Sequence, residues 1–320
     1  MKLLSVFCGA LCALISTVTT DANSAYTSAS PSAVIIVNYT DAAGYGFNEA
    51  GIGASRKTAL EYALGLWAAK LKGTQTIVVN AFCANLGGTA TSAVLASAGP
   101  LQSANAAWLP YPSTTYPLGL VNQYGEQDFS TGVSDIQVRV NIDVDNATVL
   151  GATNFYYGTN ASPGSHIDIV TVLLHELAHG FGFLTFMDST GAMAGGIPDT
   201  YMRNLVQGSS SGTPLTSMND AGRAAAIISN NLYWDGSSLK NRIITGTTRY
   251  GNVKMYAPTT YQSGSSVSHF DTSNTPNLLM EPSYTGAAHG MDVTGNVLRD
   301  VGWFLDSSAL PATLSGFTVE

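Results

Sequence analysis

The sequence predicts a fold of the α/β (α+β) class, in which a mixed sheet and packed helices form one two-lobed unit. The first observation is that apolar, strand-like runs and amphipathic helical segments alternate along the first half of the chain. The second is composition: of 320 residues, 45% are hydrophobic and only 11% are charged. Such a chain buries a large core and is not disordered. We expect an N-terminal lobe over residues 26–182 and a C-terminal lobe over residues 183–320.

The elements of the N-terminal lobe are predicted from hydrophobic periodicity. Apolar runs bounded by turn residues indicate strands, whereas apolar residues spaced 3, 4 and 7 apart indicate one face of a helix. A glycine-rich loop is expected at 44–53, between the first strand and the first helix. The predicted strands are 33–38, 76–82 and 136–144, and the predicted helices are 57–72 and 167–181.

The C-terminal lobe is more irregular in sequence. Glycine and serine cluster at 191–198, 208–212 and 236–238, which predicts loops. A last helix is expected from Asp292, a favourable N-cap residue, to Val301. Two further short helices are predicted at 200–206 and 221–229.

The N-terminus has the features of a secretory signal peptide. Met1-Lys2 is followed by an apolar run from Leu3 to Ile15 and then by small residues up to Ala25. This run is too short for a membrane span, which takes ~20 residues, and its order of regions is typical of a cleaved signal. We therefore predict a signal peptide at 1–25 and no membrane span after it. The protein is expected to be secreted, to the extracellular space or the periplasm.

The net charge limits the classes of binding partner, and the cysteine content limits the disulfides that can stabilise the fold. The net charge of −8 argues against a nucleic-acid-binding surface. Cys8 and Cys12 lie in the predicted signal peptide, so the mature chain keeps Cys83 alone. Cys83 then has no partner for an intramolecular disulfide, and its strand-like neighbours predict a buried structural thiol.

The strongest chemical signal is the segment His175-Glu176-Leu-Ala-His179 on the second predicted helix. His179 follows His175 by one helical turn, so the two imidazoles can converge on one ion. Glu176 lies beside them, where it can reach an activated water molecule without being a ligand. Two ligands and a general base at this spacing form the HExxH pattern of zinc hydrolases. Gly182, three residues after His179, predicts a sharp turn out of the helix.

The third metal ligand is less clear from the residues alone. A catalytic zinc ion usually has three protein ligands and one open position. A glutamate from a later helix is disfavoured, because only Glu281 and Glu320 follow His179 and neither is in a helix-like segment. The remaining candidates are His269, His289 and Asp188.

A second motif lies downstream, where His269 is followed after ten residues by Met280-Glu281-Pro282. Together with the segment HExxHxxGF, this late histidine and the Met-x-Pro sequence resemble the third-ligand and Met-turn region of leishmanolysin-like metallopeptidases of the metzincin clan. The resemblance spans roughly residues 165–305. In other metzincins the third ligand comes at the position that is Thr185 here, so the resemblance favours His269.

The resemblance also implies a function and its site residues. It implies a metzincin-like fold with a cleft between two lobes, and Zn²⁺ bound by three ligands. Glu176 would be the catalytic base and Met280 a packing residue beneath the metal. The implied protein is a monomeric zinc metalloendopeptidase over residues 26–320 that acts on protein or peptide substrates. The implied zinc ligands are His175, His179 and His269.

Two alternative functions stay open at this point. One is a non-catalytic secreted zinc-containing binding or adhesion protein, which Glu176 disfavours because a structural zinc site needs no general base. The other is a zinc hydrolase of non-peptide bonds. Tyr284, shortly after the Met-turn, is a weaker candidate for a hydrogen-bond donor to the reacting carbonyl.

Overall fold

The computed structural model of the protein describes residues 2–4, 26–27, 33–208, 212–239 and 253–305. The predicted signal peptide lies outside the described residues except for 2–4, and so does most of the loop predicted at 208–212. The strands are β1 (Lys2–Leu4), β2 (Tyr26–Thr27), β3 (Ile35–Tyr39), β4 (Leu71–Lys72), β5 (Ile77–Ala84), β6 (Ala96–Pro100), β7 (Ser103–Asn105), β8 (Tyr116–Pro117), β9 (Ile136–Asn141), β10 (Phe155–Tyr156), β11 (Ile167–Asp168), β12 (Leu205–Gln207), β13 (Thr213–Pro214), β14 (Leu232–Trp234), β15 (Val253–Met255) and β16 (Phe304–Leu305).

Helices connect these strands and cover their sheets. Short 3₁₀ turns are present at Gly46–Asn48, Ile142–Asp145, Ala194–Gly196, Met202–Asn204 and Leu215–Ser217. The α-helices of the described residues are α1 (Ile52–Lys70), α2 (Leu118–Gly125), α3 (Ile169–Gly180), α4 (Asp220–Ala226) and α5 (Thr294–Val301).

The largest sheet has five strands in the order β2-β3-β5-β9-β6. Strands β3, β5 and β9 are parallel, and the edge strands β2 and β6 run antiparallel to their neighbours. Buried and half-buried residues alternate along β5, as expected for a strand with one face on the core. Cys83 lies on the buried face, as predicted, and is 4% exposed. Mixed sheets with helices confirm the predicted α/β (α+β) class.

Helices α1 and α3 pack against each other and against the large sheet. The indole N–H of Trp67 on α1 donates to the carbonyl of Leu174 on α3 over 3.1 Å. The ring of Trp67 also meets Phe181 edge-on, with centroids 5.3 Å apart. At Gly180 a Cβ atom would lie 2.5 Å from Cγ2 of Ile136 on β9, so glycine lets the end of α3 approach the sheet. These contacts fix α3, the helix of the HExxH segment, on a rigid base.

The C-terminal part of the chain forms a four-stranded antiparallel sheet in the order β13-β12-β14-β15. Its core contains fully buried aromatic side chains, with the rings of Tyr201 and Trp234 4.7 Å apart. Strand β15 is followed by a segment that pairs with the chain around His269: the N–H of Tyr256 donates to the His269 carbonyl over 2.9 Å. This sheet therefore holds His269 in place.

Several predicted elements differ from the structure. The helix predicted at 57–72 runs from Ile52 to Lys70. Its predicted last two residues, Leu71–Lys72, instead pair with β16 as a strand. The helix predicted at 200–206 is wrong: Met202–Asn204 is a 3₁₀ turn, and Leu205–Gln207 pairs with β14 as a strand. The strand predicted at 136–144 ends at Asn141, where a 3₁₀ turn follows. Strand β6 and helix α2 were not predicted, since the Ala-Ser-Ala-Gly-Pro sequence of β6 has weak strand propensity.

Among the described residues, no helix combines the length and apolar character that a membrane crossing requires.

Candidate metal centre

Helix α3 carries two of the three predicted ligands. It begins after Asp168, whose Oδ1 accepts the N–H of Thr171 over 2.8 Å and so caps the first turn. Its apolar side chains, such as Leu177, are fully buried and anchor the helix. His175 and His179 lie one turn apart on the side of the helix that these apolar side chains do not occupy.

The chain leaves α3 by a sharp turn at Gly182, as predicted. The N–H of Gly182 donates to the His179 carbonyl and the N–H of Phe183 to the Ala178 carbonyl, both over 2.9 Å. Gly182 has a φ of 105°, and a Cβ there would lie 2.8 Å from Cγ of Pro117. Glycine is therefore required for the turn. The turn brings the carbonyl of Phe183 back beside the His179 ring.

Three imidazoles converge at this point. The Nε2 atoms of His175 and His179 are 3.1 Å apart, those of His175 and His269 are 3.1 Å apart, and those of His179 and His269 are 3.2 Å apart. His179 and His269 are buried, and His175 is half-buried. The three predicted ligands thus lie close enough to bind one metal ion.

The opposite nitrogen of each ring contacts a backbone carbonyl at 2.8 Å. The Nδ1 atoms of His175, His179 and His269 contact the oxygens of Leu279, Phe183 and Ser265, respectively. A carbonyl oxygen only accepts, so each Nδ1 must carry the proton and each Nε2 must present its lone pair. This is the tautomer that a metal ligand needs, and such outer hydrogen bonds hold ligating rings in orientation.

Burial keeps these imidazoles neutral. Removal from water lowers the pKa of His175 to about 4 and that of His179 to about 3. Burial also holds the pKa of His269 well below its ordinary value, and its two histidine neighbours add to the effect. Near neutral pH all three rings are therefore uncharged, which is the state that binds a cation.

The spacing of the three nitrogens fits a tetrahedral transition metal. With Zn–N bonds of about 2.0–2.1 Å, two ligands of a tetrahedral site are about 3.3 Å apart. The observed separations of 3.1–3.2 Å are close to that value. Among the described residues, no fourth histidine, cysteine, aspartate or glutamate joins the group. Three imidazole ligands with an open position suit zinc and other imidazole-binding metals.

Glu176 is the acidic side chain next to this group. It is buried, 9% exposed, and burial raises the pKa of its carboxyl to about 8. A hydrogen bond from the backbone of Ala98 on β6 acts in the opposite direction. A nearby cation would also favour the charged carboxylate. Glu176 thus combines a shifted pKa with a place in the cleft that the histidines line, and these features make it a candidate proton-transfer group.

The segment around Met280 contacts two of the candidate ligand segments. The carbonyl of Leu279 accepts the His175 proton, and the carbonyl of Met280 accepts the N–H of Phe270 over 2.8 Å, next to His269. Met280 is fully buried, which agrees with its predicted packing role.

An open cleft of about 1340 Å³ leads to the histidines. Strand β6 forms part of its lining, and so do residues 282–286, 288 and 290–292. His175, Glu176, His179 and His269 all face this cleft. The metal group and the acid are thus accessible to a substrate that enters from solvent.

The other two ligand candidates lie elsewhere. The Oδ1 atom of Asp188 accepts hydrogen bonds from Thr190 and Ala192 within its own exposed turn. His289 contacts Asp168 Oδ1 through Nε2 over 2.9 Å, and its ring packs at 5.6 Å from that of Tyr62. Neither residue belongs to the metal group.

Tyr284, the weaker candidate donor, lines the same cleft and contacts the start of α3. Its hydroxyl accepts the N–H of Asp168 over 3.1 Å, at the start of α3. Sequence reasoning also missed the role of Asp168 as the common partner of Tyr284 and His289. The signal for this role in the sequence was the position of Asp168 at the start of the predicted helix.

Comparison of the chain with protein-family models, with curated proteins and with solved structures finds no match. The resemblance to leishmanolysin-like peptidases therefore rests on the motifs themselves.

Proposed function

We propose that this protein is a secreted zinc-dependent endopeptidase with a metzincin-like arrangement of its two lobes. The observation that carries the proposal is the convergence of three neutral imidazoles beside the buried carboxyl of Glu176, on the wall of an open cleft. The spacing of HExxH, the late His269 and the buried Met280 support the same assignment. The apolar N-terminal run supports export.

In this proposal His175, His179 and His269 hold Zn²⁺ through Nε2. When bound, a zinc ion would supply Lewis acidity and would lower the pKa of water at the site toward ~7. Glu176 accepts the proton of the water that attacks the peptide carbonyl carbon and then donates it to the leaving amine nitrogen. A carboxyl whose pKa is raised by burial is suited to both transfers.

The size of the cleft favours a polymeric substrate. Pockets for small molecules usually enclose about 300–1,000 Å³, whereas this cleft measures about 1340 Å³ and is open to solvent. An extended peptide can occupy such a cleft with one bond placed beside Glu176.

A purely structural zinc site is less consistent with this arrangement. Structural zinc sites are usually closed by four protein ligands, whereas the group within the described residues has three. The buried acid beside that group would have no purpose in a structural site.

The test is the substitution Glu176→Gln. It should preserve folding and zinc content, and lower kcat for a peptide substrate by at least ~10²–10⁴, the usual contribution of general acid–base catalysis. Glu126→Gln, at an exposed position, is the matched control and should keep full activity. Wild-type protein that binds zinc but cleaves no protein or peptide would favour the binding or adhesion alternative. Near-normal turnover in a zinc-loaded Glu176→Gln protein would refute the mechanism.

A further inference from the structure

We propose that Asp292 is a positioning residue of the metal centre, which acts through the backbone of Leu279 on the imidazole of His175. The inference rests on the metal site of the proposed function. It assigns a role to an acid that the sequence indicates only as a helix cap.

Leu279 is held from both sides. Its N–H donates to Oδ2 of Asp292 over 2.5 Å, and its carbonyl accepts the Nδ1 proton of His175 over 2.8 Å. The carboxylate of Asp292 therefore fixes the orientation of the residue whose carbonyl orients the ring.

The carboxylate itself is anchored to helix α5. Oδ1 of Asp292 accepts both the N–H of Thr294 over 2.8 Å and its hydroxyl over 2.7 Å. Thr294 is fully buried, and so are Val297 and Leu298 on the same helix. A continuous set of contacts thus runs from a packed helix through Asp292 and Leu279 to His175.

His175 is the candidate ligand that needs this support. The carbonyl partners of His179 and His269 lie four positions away in sequence, so each is held by the local turn of its own segment. The carbonyl partner of His175 lies 104 positions away. The position of the Leu279 carbonyl therefore depends on tertiary contacts. The hydrogen bond from the N–H of Leu279 to Asp292 is such a contact, made by the same residue.

The two oxygens of Asp292 serve different donors, and this explains why the residue is an acid. An asparagine has a single side-chain oxygen acceptor and cannot accept from Leu279 and from the Thr294 N–H in the same way. An alanine accepts from neither. In both variants the hydrogen bond to the amide of Leu279, a buried residue, is lost or weakened, so the carbonyl that orients His175 is held less firmly.

The experiment measures metal affinity in the full-length protein by competition with a chromogenic chelator. The visible spectrum of the cobalt-substituted protein reports the ligand geometry. Asp292→Ala should bind zinc more weakly by up to about 10-fold, because it loosens the carbonyl partner of His175 without removing it, whereas losing such a partner costs about 10- to 100-fold. The cobalt spectrum should also change. Asp292→Asn, which keeps the side-chain volume, should show a smaller loss in the same direction and guards against misfolding of the alanine variant.

Asn219→Ala is the matched control, because it removes the side-chain cap of α4 and leaves the metal site untouched. It should keep wild-type zinc affinity. Unchanged zinc affinity and cobalt spectrum in both Asp292 variants would overturn the inference alone. A wild-type protein that binds no zinc would overturn the proposed function together with the inference.

Discussion

The Nε2 atoms of His179 and His269 lie 3.2 Å apart, although 90 positions separate the two residues in the chain. A hydrogen bond does not account for this approach, because the Nδ1 proton of each ring is donated to a carbonyl and both Nε2 atoms carry lone pairs. Facing lone pairs repel each other unless a cation lies between them. The pair therefore predicts that a metal joins helix α3 to the C-terminal sheet.

Substitution of His269 tests this directly. His269→Ala should lose most of the bound metal, with zinc affinity reduced at least ~10-fold, because even outer-shell changes weaken binding by that factor. Asp188→Ala and His289→Ala should keep full zinc content, since neither residue lies in the metal group. Zinc analysis of the three purified variants checks the prediction. Full occupancy in His269→Ala would exclude it as a ligand.

The turn after α3 should be sensitive to any side chain at its glycine. Gly182→Ala combines a strained positive φ with a Cβ placed 2.8 Å from Pro117. We expect it to lower the free energy of unfolding by about 1–3 kcal/mol from strain, with a similar addition from overpacking. Gly44→Ala, at a φ of 78° with no atom within 4 Å, should show the strain alone. Equal losses in denaturant titrations of the two variants would contradict the predicted clash.

The stability of the protein should depend on the ionisation of Asp135. Burial raises the pKa of this carboxyl from 3.8 to about 6, although Val78 and Asn122 donate hydrogen bonds to it. The folded state then holds the proton more tightly than the unfolded state. Its contribution is fully present below pH 4 and is lost as the pH rises through about 6.

The comparison variant is Asp135→Asn, which does not titrate. Between pH 4 and pH 7 the wild type should lose on the order of 2–3 kcal/mol of unfolding free energy relative to it. Denaturant titrations at several pH values measure that difference. Parallel pH profiles for the two proteins would show that Asp135 has an ordinary pKa.

Cys83 should behave as an inert buried thiol. It is 4% exposed, and burial raises its pKa to about 12, so almost none of it is the reactive thiolate at neutral pH. In the protein without residues 1–25, a thiol reagent should modify Cys83 only after denaturation, and a reductant should leave Tm unchanged. Rapid labelling of the native protein, or a lower Tm in reductant, would contradict this.

Much of the metal-binding helix was predictable from local sequence. The one-turn spacing of His175 and His179, the adjacent Glu176 and the glycine turn at Gly182 depend only on backbone geometry over a few residues. The same holds for β3, β5 and α1, whose buried faces follow the hydrophobic periodicity. Such patterns can be recognised in the sequence because they involve only residues that are close together in the chain.

Local patterns failed where pairing partners decide the conformation. Leu205–Gln207 is a strand rather than the end of a helix because β14 lies beside it. Strand β6 has little strand propensity and forms by pairing with β9. In both cases the hydrogen bonds to a distant segment outweigh the intrinsic preference of the residues.

In the candidate metal site, too, local sequence predicted some features and tertiary packing determined others. The residue types, their helical spacing and the Met-x-Pro sequence were enough to propose three histidine ligands and a general base. Tertiary packing brings His269 to the group, while His289 and Tyr284 instead contact Asp168. The carbonyl partner of His175 and its support by Asp292 likewise come from segments far apart in sequence. Such contacts arise from packing of the whole chain, because a hydrogen bond between distant residues leaves no periodic signal in either segment.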